Sequence, residues 1–196
     1  MDEVDNKLLK RIIYTGIKVN NQILPSLKVT KNKLQKKLYQ IEKQRPLKFG
    51  HGDLCFNNIL IEPISGSIKL IDPKADSIDN DKVGYVDPLY DLAKLNHSFS
   101  CFYDSIVNNM FSISCFNTQY QLKIFKPYSY EVANFYFKKI FLDNLVDNEL
   151  LRILTSNLFL SMIPLHKDDE QKMAAFLIIG LSLFYDIDMN SYILDL

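Results

Sequence analysis

Residues 174–185 read AAFLIIGLSLFY, a dozen positions without one charge. A helix that is apolar on every face has to be surrounded by other chain. The stretch is well short of the ~20 residues that span a bilayer. It is therefore expected to be a buried core helix, with no membrane insertion. The remaining sequence can supply the surroundings, since 47% of the 196 residues are hydrophobic and 23% charged. Those proportions suit a globular chain rather than a disordered one. The opening MDEVDNKLLKR is acidic at its start and has no apolar core of signal-peptide length, so a soluble, cytoplasmic protein is expected.

The 23 lysines and arginines equal the 23 aspartates and glutamates. Zero formal charge removes the usual electrostatic argument for bulk nucleic-acid binding, and no nucleic-acid partner is expected. Cys55, Cys101 and Cys115 are scattered and form no CxxC pair. Three reduced and mostly buried thiols are expected, rather than a zinc site or a disulfide framework.

Apolar positions Leu8, Ile12, Ile13, Ile17 and Val19 predict a helix within 2–22, interrupted by Pro25. A lysine-rich helix is expected over 31–44, with Leu34, Leu38 and Ile41 on one face, stopped at Arg45-Pro46. The character then changes. Residues 49–58 hold two glycines, a histidine, an aspartate and two asparagines, and read as a loop. Two short apolar runs, 59–61 and 68–71, flank the turn cluster 63–67 and predict a hairpin. A helix should begin at Asp87-Pro88, a good N-cap followed by proline. A second hairpin is expected over 111–125, broken at Asn117-Thr118. Three helices follow, at about 130–143, 147–162 and 168–187, with Asp147 and Asp168 as N-caps. No repeat, low-complexity linker or boundary divides residues 1–196, so a single α+β, mainly α, domain is expected.

The chemistry concentrates in HGDLCFNNIL, residues 51–60, and IKLIDP, residues 68–73. Asp53 and Asn58 lie five positions apart in a loop that runs into the first strand of the hairpin. Asp72 ends the second strand, so the hairpin returns it to the neighbourhood of Asn58. Two carboxylates and an amide oxygen are hard ligands, and Mg²⁺ takes one or two carboxylates together with substrate phosphates. Such a grouping suits a metal–nucleotide held beside an acceptor hydroxyl. A loop-forming role for Asp53, Asn57 and Asn58 is the plain alternative.

The segment HGDLCFNNIL resembles the HGDxxxxN catalytic loop of the aminoglycoside phosphotransferase and choline kinase-like family, within the protein-kinase-like fold. The hairpin with LIDP is similar to that family's metal-binding aspartate segment, and DPLYDLA, residues 87–93, to its DxxYDLA signature. The three motifs occur in the family's order. The resemblance implies that Asp53 orients the acceptor hydroxyl and takes its proton. It implies that Asn58 and Asp72 bind Mg²⁺ with ATP, that His51 braces the loop, and that Asp91 accepts hydrogen bonds from the loop backbone. Cys55-Phe56 stand where relatives often carry His-Pro, which should alter loop packing. Pro73 replaces the Phe-Gly of protein kinases, so a flipping segment is not expected. Lys74 is expected to be a solvated surface lysine rather than a phosphate ligand, and Asp76, Asp79 and Asp81 a solvated loop.

The resemblance covers the C-terminal lobe. The ATP-gripping N-terminal lobe has no counterpart: only 50 residues precede His51, they read as helices, and the sole G-x-G is Gly50-His51-Gly52. A fragment, a split enzyme whose other lobe is a partner chain, and a retired kinase serving as a non-catalytic interaction module would each account for this. The expectation is a Mg²⁺-dependent transferase that moves the ATP γ-phosphate to a small-molecule hydroxyl. A sugar, an aminoglycoside or a choline-like alcohol would be the acceptor, with surface-polysaccharide or lipid metabolism as a setting. The residues do not select among them.

Overall fold

The computed structural model describes residues 2–42, 46–74, 84–127, 129–143 and 148–194, with side chains from residue 7 onward and those of 41, 42 and 194 excepted. Asp76, Asp79, Asp81 and Asp147 lie outside the described residues. The architecture is mixed α and β and mainly helical. Its first helix is shorter than the periodicity predicts: α1 spans Asp2–Tyr14, and β1 (Ile17–Val19) and β2 (Gln22–Leu24) form a hairpin. The helical reading of Ile17 and Val19 is therefore wrong. Gly16 ends α1 with φ +85°, where a Cβ would meet the Leu24 carbonyl oxygen at 2.6 Å. Asn20 and Asn21, at φ 45° and 64°, make the two-residue turn. Asparagine tolerates this left-handed conformation, which matches the twist of paired strands. Within β1 the pattern is buried, exposed, buried, which is strand alternation.

Helix α2 spans Leu27–Glu42, starting four residues earlier than predicted. Beyond it come β3 (Lys48–Phe49), a short 3₁₀ turn at Phe56–Asn58, β4 (Ile59–Ile61), β5 (Ile68–Leu70) and β6 (Tyr85–Val86). The predicted hairpin is β4–β5, with Ile59 opposite Leu70 and Ile61 opposite Ile68. Strands β3 and β6 pair separately, Phe49 against Tyr85. Helix α3 spans Pro88–Phe99 as the sequence implies, its Asp87 cap accepting from the Leu89 N–H at 2.9 Å. A short α4 (Tyr103–Val107) leads into β7 (Phe111–Phe116) and β8 (Gln119–Phe125), the second predicted hairpin, turning at Asn117-Thr118.

Helix α5 (Ser129–Phe137) runs into a π turn at Lys138–Leu142. It is followed by α6 (Asn148–Ser161), α7 (Glu170–Phe184) and β9 (Ile193–Leu194). The cap of α7 is Asp169, not Asp168: its carboxylate accepts from the Lys172 N–H at 2.9 Å. The larger sheet runs β2-β1-β8-β7, with β9 also parallel to β8.

Every residue from Ala174 to Phe184 is buried. Helix α7 packs with Leu8 and Ile12 of α1, Val19 of β1, Leu122 and Ile124 of β8, and Phe159 of α6. Each such side chain contributes about 1.5–3 kcal/mol on burial. A second cluster joins Leu89 and Ala93 of α3 to Leu151, Leu154 and Leu158 of α6. This cluster matters for the site, because it fixes the helix that carries Asp91 and Lys94. All three cysteines are free, but only Cys101 is buried: Cys55 is half-buried in the loop and Cys115 is exposed on β7, so the expectation of mostly buried thiols does not hold. Among the described residues no helix is long and apolar enough to cross a membrane.

Candidate functional site

The loop 50–58 is tied down mainly through its backbone. The Gly50 N–H donates to the Gly84 carbonyl at 3.0 Å, which extends the β3–β6 pairing. Asp91 lies in the first turn of α3 with its carboxylate against the loop. Oδ2 accepts from the His51 N–H at 2.7 Å and Oδ1 from the Gly52 N–H at 2.8 Å. The contact is close: a Cβ on Gly50 would meet Asp91 Oδ2 at 2.7 Å. Charge-assisted bonds of this kind are about twice as strong as neutral ones.

His51 is buried and braces the loop in a second direction. Its Nδ1 accepts from the Asp53 N–H at 3.3 Å, and its Nε2 lies 2.9 Å from the Ile71 carbonyl oxygen. An accepting Nδ1 and a carbonyl at Nε2 select the tautomer with the proton on Nε2. The His51 carbonyl accepts from the Lys74 N–H at 2.9 Å. Gly52, at φ +78°, sits so near this returning strand that a Cβ would lie 1.9 Å from the Lys74 carbonyl oxygen. Only glycine fits there.

Residues 55–58 turn tightly, with the Asn58 N–H donating to the Cys55 carbonyl. Phe56 packs edge-on against Phe99 at the end of α3, centroids 4.5 Å apart. Asn58 is buried, and its Nδ2 donates to the Asp53 carbonyl at 2.8 Å. That bond commits the amide nitrogen and leaves Oδ1 as the side chain's acceptor atom. The hairpin brings residues 71–72 back to Asn58, whose carbonyl accepts from the Ile71 N–H at 3.0 Å. Asp72 follows at φ 54°, exposed. Asn58, Asp72 and Asp53 thus gather at the open end of one hairpin.

The Asp53 carboxylate is held by two lysines. Lys94 Nζ is 2.9 Å from Oδ1, and Lys74 Nζ is 2.6 Å from Oδ2. The side chains of Asp53 and Lys94 are each 11% exposed, that of Lys74 63%. Burial pushes the Asp53 carboxyl up, but the hydrogen bonds and charges of Lys74 and Lys94 outweigh it and hold the group below the ordinary aspartate value. The hydrogen bond to Asp53 is the main cause that raises Lys74, and the charge of Asp72 adds to it. Lys74 therefore departs from its sequence reading: its stem is in solvent, but its ammonium ends on Asp53. Lys94 carried no sequence signal. A lysine in an early turn of a helix reads as a solvated face, and only the packing of α3 between loop and α6 buries it.

The residues fit a magnesium–nucleotide in one respect: Asn58 and Asp72 carry hard oxygens on backbone segments that the Ile71 N–H bond to the Asn58 carbonyl brings together. Among the described residues no group of three or more His, Cys, Asp or Glu side chains could hold a metal. A metal here would take its remaining ligands from phosphate and water. No protein-family model, curated protein or solved structure matches this chain.

Proposed function

We propose that this chain is the catalytic-loop lobe of a small-molecule phosphotransferase of protein-kinase-like fold. It would bind Mg²⁺–ATP through Asn58 and Asp72 on its own and move the γ-phosphate to a hydroxyl, slowly alone and faster when a nucleotide-binding lobe is supplied. The observation that carries this reading is the Asp91 carboxylate on the His51 and Gly52 amides. It ties two motifs 40 residues apart into one unit, while the β4–β5 register returns the third motif to Asn58. Independent loops that merely happened to contain Asp, Asn and His would not need that bond. In this reading Asp53 orients the acceptor hydroxyl and accepts its proton. Asn58 and Asp72 hold Mg²⁺, which would neutralise charge on the phosphates. Asp91 and His51 hold the loop in shape.

The test is phosphate transfer from ATP to a panel of alcohols, with Asp53→Asn and Asp72→Ala as variants. Loss of a positioned base predicts a fall of ~10²–10⁴-fold for Asp53→Asn. Undiminished turnover in that variant, or cleavage of phosphate esters without ATP, contradicts the reading.

One observation favours a second reading, a non-catalytic interaction module. The β4–β5 hairpin and its surroundings expose Leu60, Ile61, Ile64, Ile68, Leu70 and Phe49. Exposed apolar side chains on a hairpin can recruit partners where they form one patch. Stable behaviour without nucleotide binding would favour this reading.

A further inference from the structure

Two ammonium groups converge on one carboxylate at Asp53. Lys94 is nine-tenths buried, its stem enters from α3, and its ammonium also lies 5.9 Å from the centre of the Tyr90 ring. It is a fixed charge. Lys74 differs: its backbone is pinned by the bond to the His51 carbonyl, but its side chain is mostly in solvent and free to turn about that anchor. Of the other carboxylates nearby among the described residues, only Asp72 adds charge to Lys74, and it does so from a distance. Asp91 faces two backbone amides, and Asp72 stands at the exposed end of the hairpin. Asp53 alone thus bridges two positive charges. A ligand oxyanion can take the place of Asp53 between the two ammonium groups, whereas a hydroxyl can add to Asp53 without displacing either lysine, since a carboxylate offers about four acceptor sites.

We infer that Lys94 and Lys74 form an oxyanion subsite beside Asp53, closed by Asp53 itself in the free protein and filled in use by a phosphate or carboxylate. Lysine is a compact point charge suited to phosphate. Lys94 gives the subsite its place and Lys74 closes over the guest. The inference rests on the phosphotransferase reading only for what the guest does. Under that reading the oxyanion is either the phosphoryl group in transfer or an acid group on the acceptor. In both cases a cationic acceptor, choline-like or aminoglycoside, meets like charge next to Asp53.

The test uses the full chain without metal, titrated by NMR with inorganic phosphate, glycerate, glycerol and choline. Phosphate and glycerate should bind in the range of about 1–10 mM, and glycerol and choline should not. Asp53→Asn removes the internal anion and should tighten phosphate about tenfold. Lys74→Gln, at an exposed side chain, should weaken it about fivefold, and Lys94→Gln should abolish it. A folded Lys74→Gln guards against misreading a Lys94→Gln that unfolds. Persistence of glycerate binding after loading with a non-hydrolysable Mg²⁺–ATP analogue assigns the subsite to the acceptor. Displacement assigns it to the donor phosphate. No phosphate binding to Asp53→Asn up to about 50 mM, binding indifferent to Lys74→Gln, or choline binding as well as glycerate overturns the inference. Phosphate binding without Mg²⁺–ATP binding leaves the subsite standing and removes the phosphotransferase reading; the reverse result removes the subsite alone.

Discussion

At the scale of single residues, Asp91 holds the loop 50–58 to α3. Its two oxygens satisfy two loop amides that have no other partner of comparable strength. Asp91→Ala should cost about 1.5–3 kcal/mol per bond lost, with amide exchange at His51 and Gly52 accelerating before that of α6. Chemical denaturation and residue-resolved hydrogen exchange measure both. His97 gives a pH-dependent prediction. Its ring is buried, stacked on Tyr103 at 3.8 Å between centroids, and neither nitrogen has a hydrogen-bond partner among the described residues. Burial first, and the charge of Lys94 second, push its pKa well below that of a free histidine. The folded chain therefore binds fewer protons there than the unfolded one. Stability should be level above about pH 6.5 and fall below it by up to about 1.4 kcal/mol per pH unit. His97→Phe should flatten that slope; an unchanged slope in the variant would assign it to other groups. Asp53 works in the same direction at lower pH, since its depressed pKa contributes stability that is lost as pH falls through the folded value. Asp91 was legible in the sequence because its neighbours 87–93 form a recognisable run. Lys94 and His97 were not, because three and six positions along the same helix they look like ordinary surface residues until Asp53 pairs with the one and Tyr103 and Phe159 stack on the other.

At the scale of elements, two glycines at similar backbone angles separate conformational strain from close packing. Gly52 and Gly66 have φ +78° and +70°, but only Gly52 abuts other backbone; nothing lies within 4 Å of a Cβ on Gly66. Gly66→Ala should cost about 1–2 kcal/mol, the left-handed penalty alone. Gly52→Ala should cost more and push residues 72–74 off the loop. Equal costs, read from paired thermal melts, would mean the loop and hairpin do not pack as described. The hairpins 59–70 and 111–125 were legible because apolar runs flank polar turns. The β1–β2 hairpin was not: Ile17 and Val19 also fit a helical period after Ile13, and three-residue strands are too short for alternation to outvote it. The decisive signals were the glycine before and the two asparagines between, at positions where left-handed backbone is required.

At the scale of the whole molecule, the apolar helix α7 is the axis of the core, and Phe176→Ala there should cost about 3–5 kcal/mol. Core and site communicate through α3, whose apolar side joins α6 while Asp91 and Lys94 reach the loop. The buried helix could be read from 174–185 because a run without charge has few places to go. The identity of whatever covers the β4–β5 face could not, since an exposed apolar surface records a need rather than a partner. The central claim is that Asn58 and Asp72 hold a metal–nucleotide beside Asp53. Calorimetric titration of Mg²⁺–ATP into the purified chain, with Asp72→Ala alongside, tests it most directly. Saturable binding in the native chain, dependent on Mg²⁺ and lost in Asp72→Ala, is expected. Binding indifferent to Asp72→Ala, or none up to millimolar ATP, would contradict it for this chain.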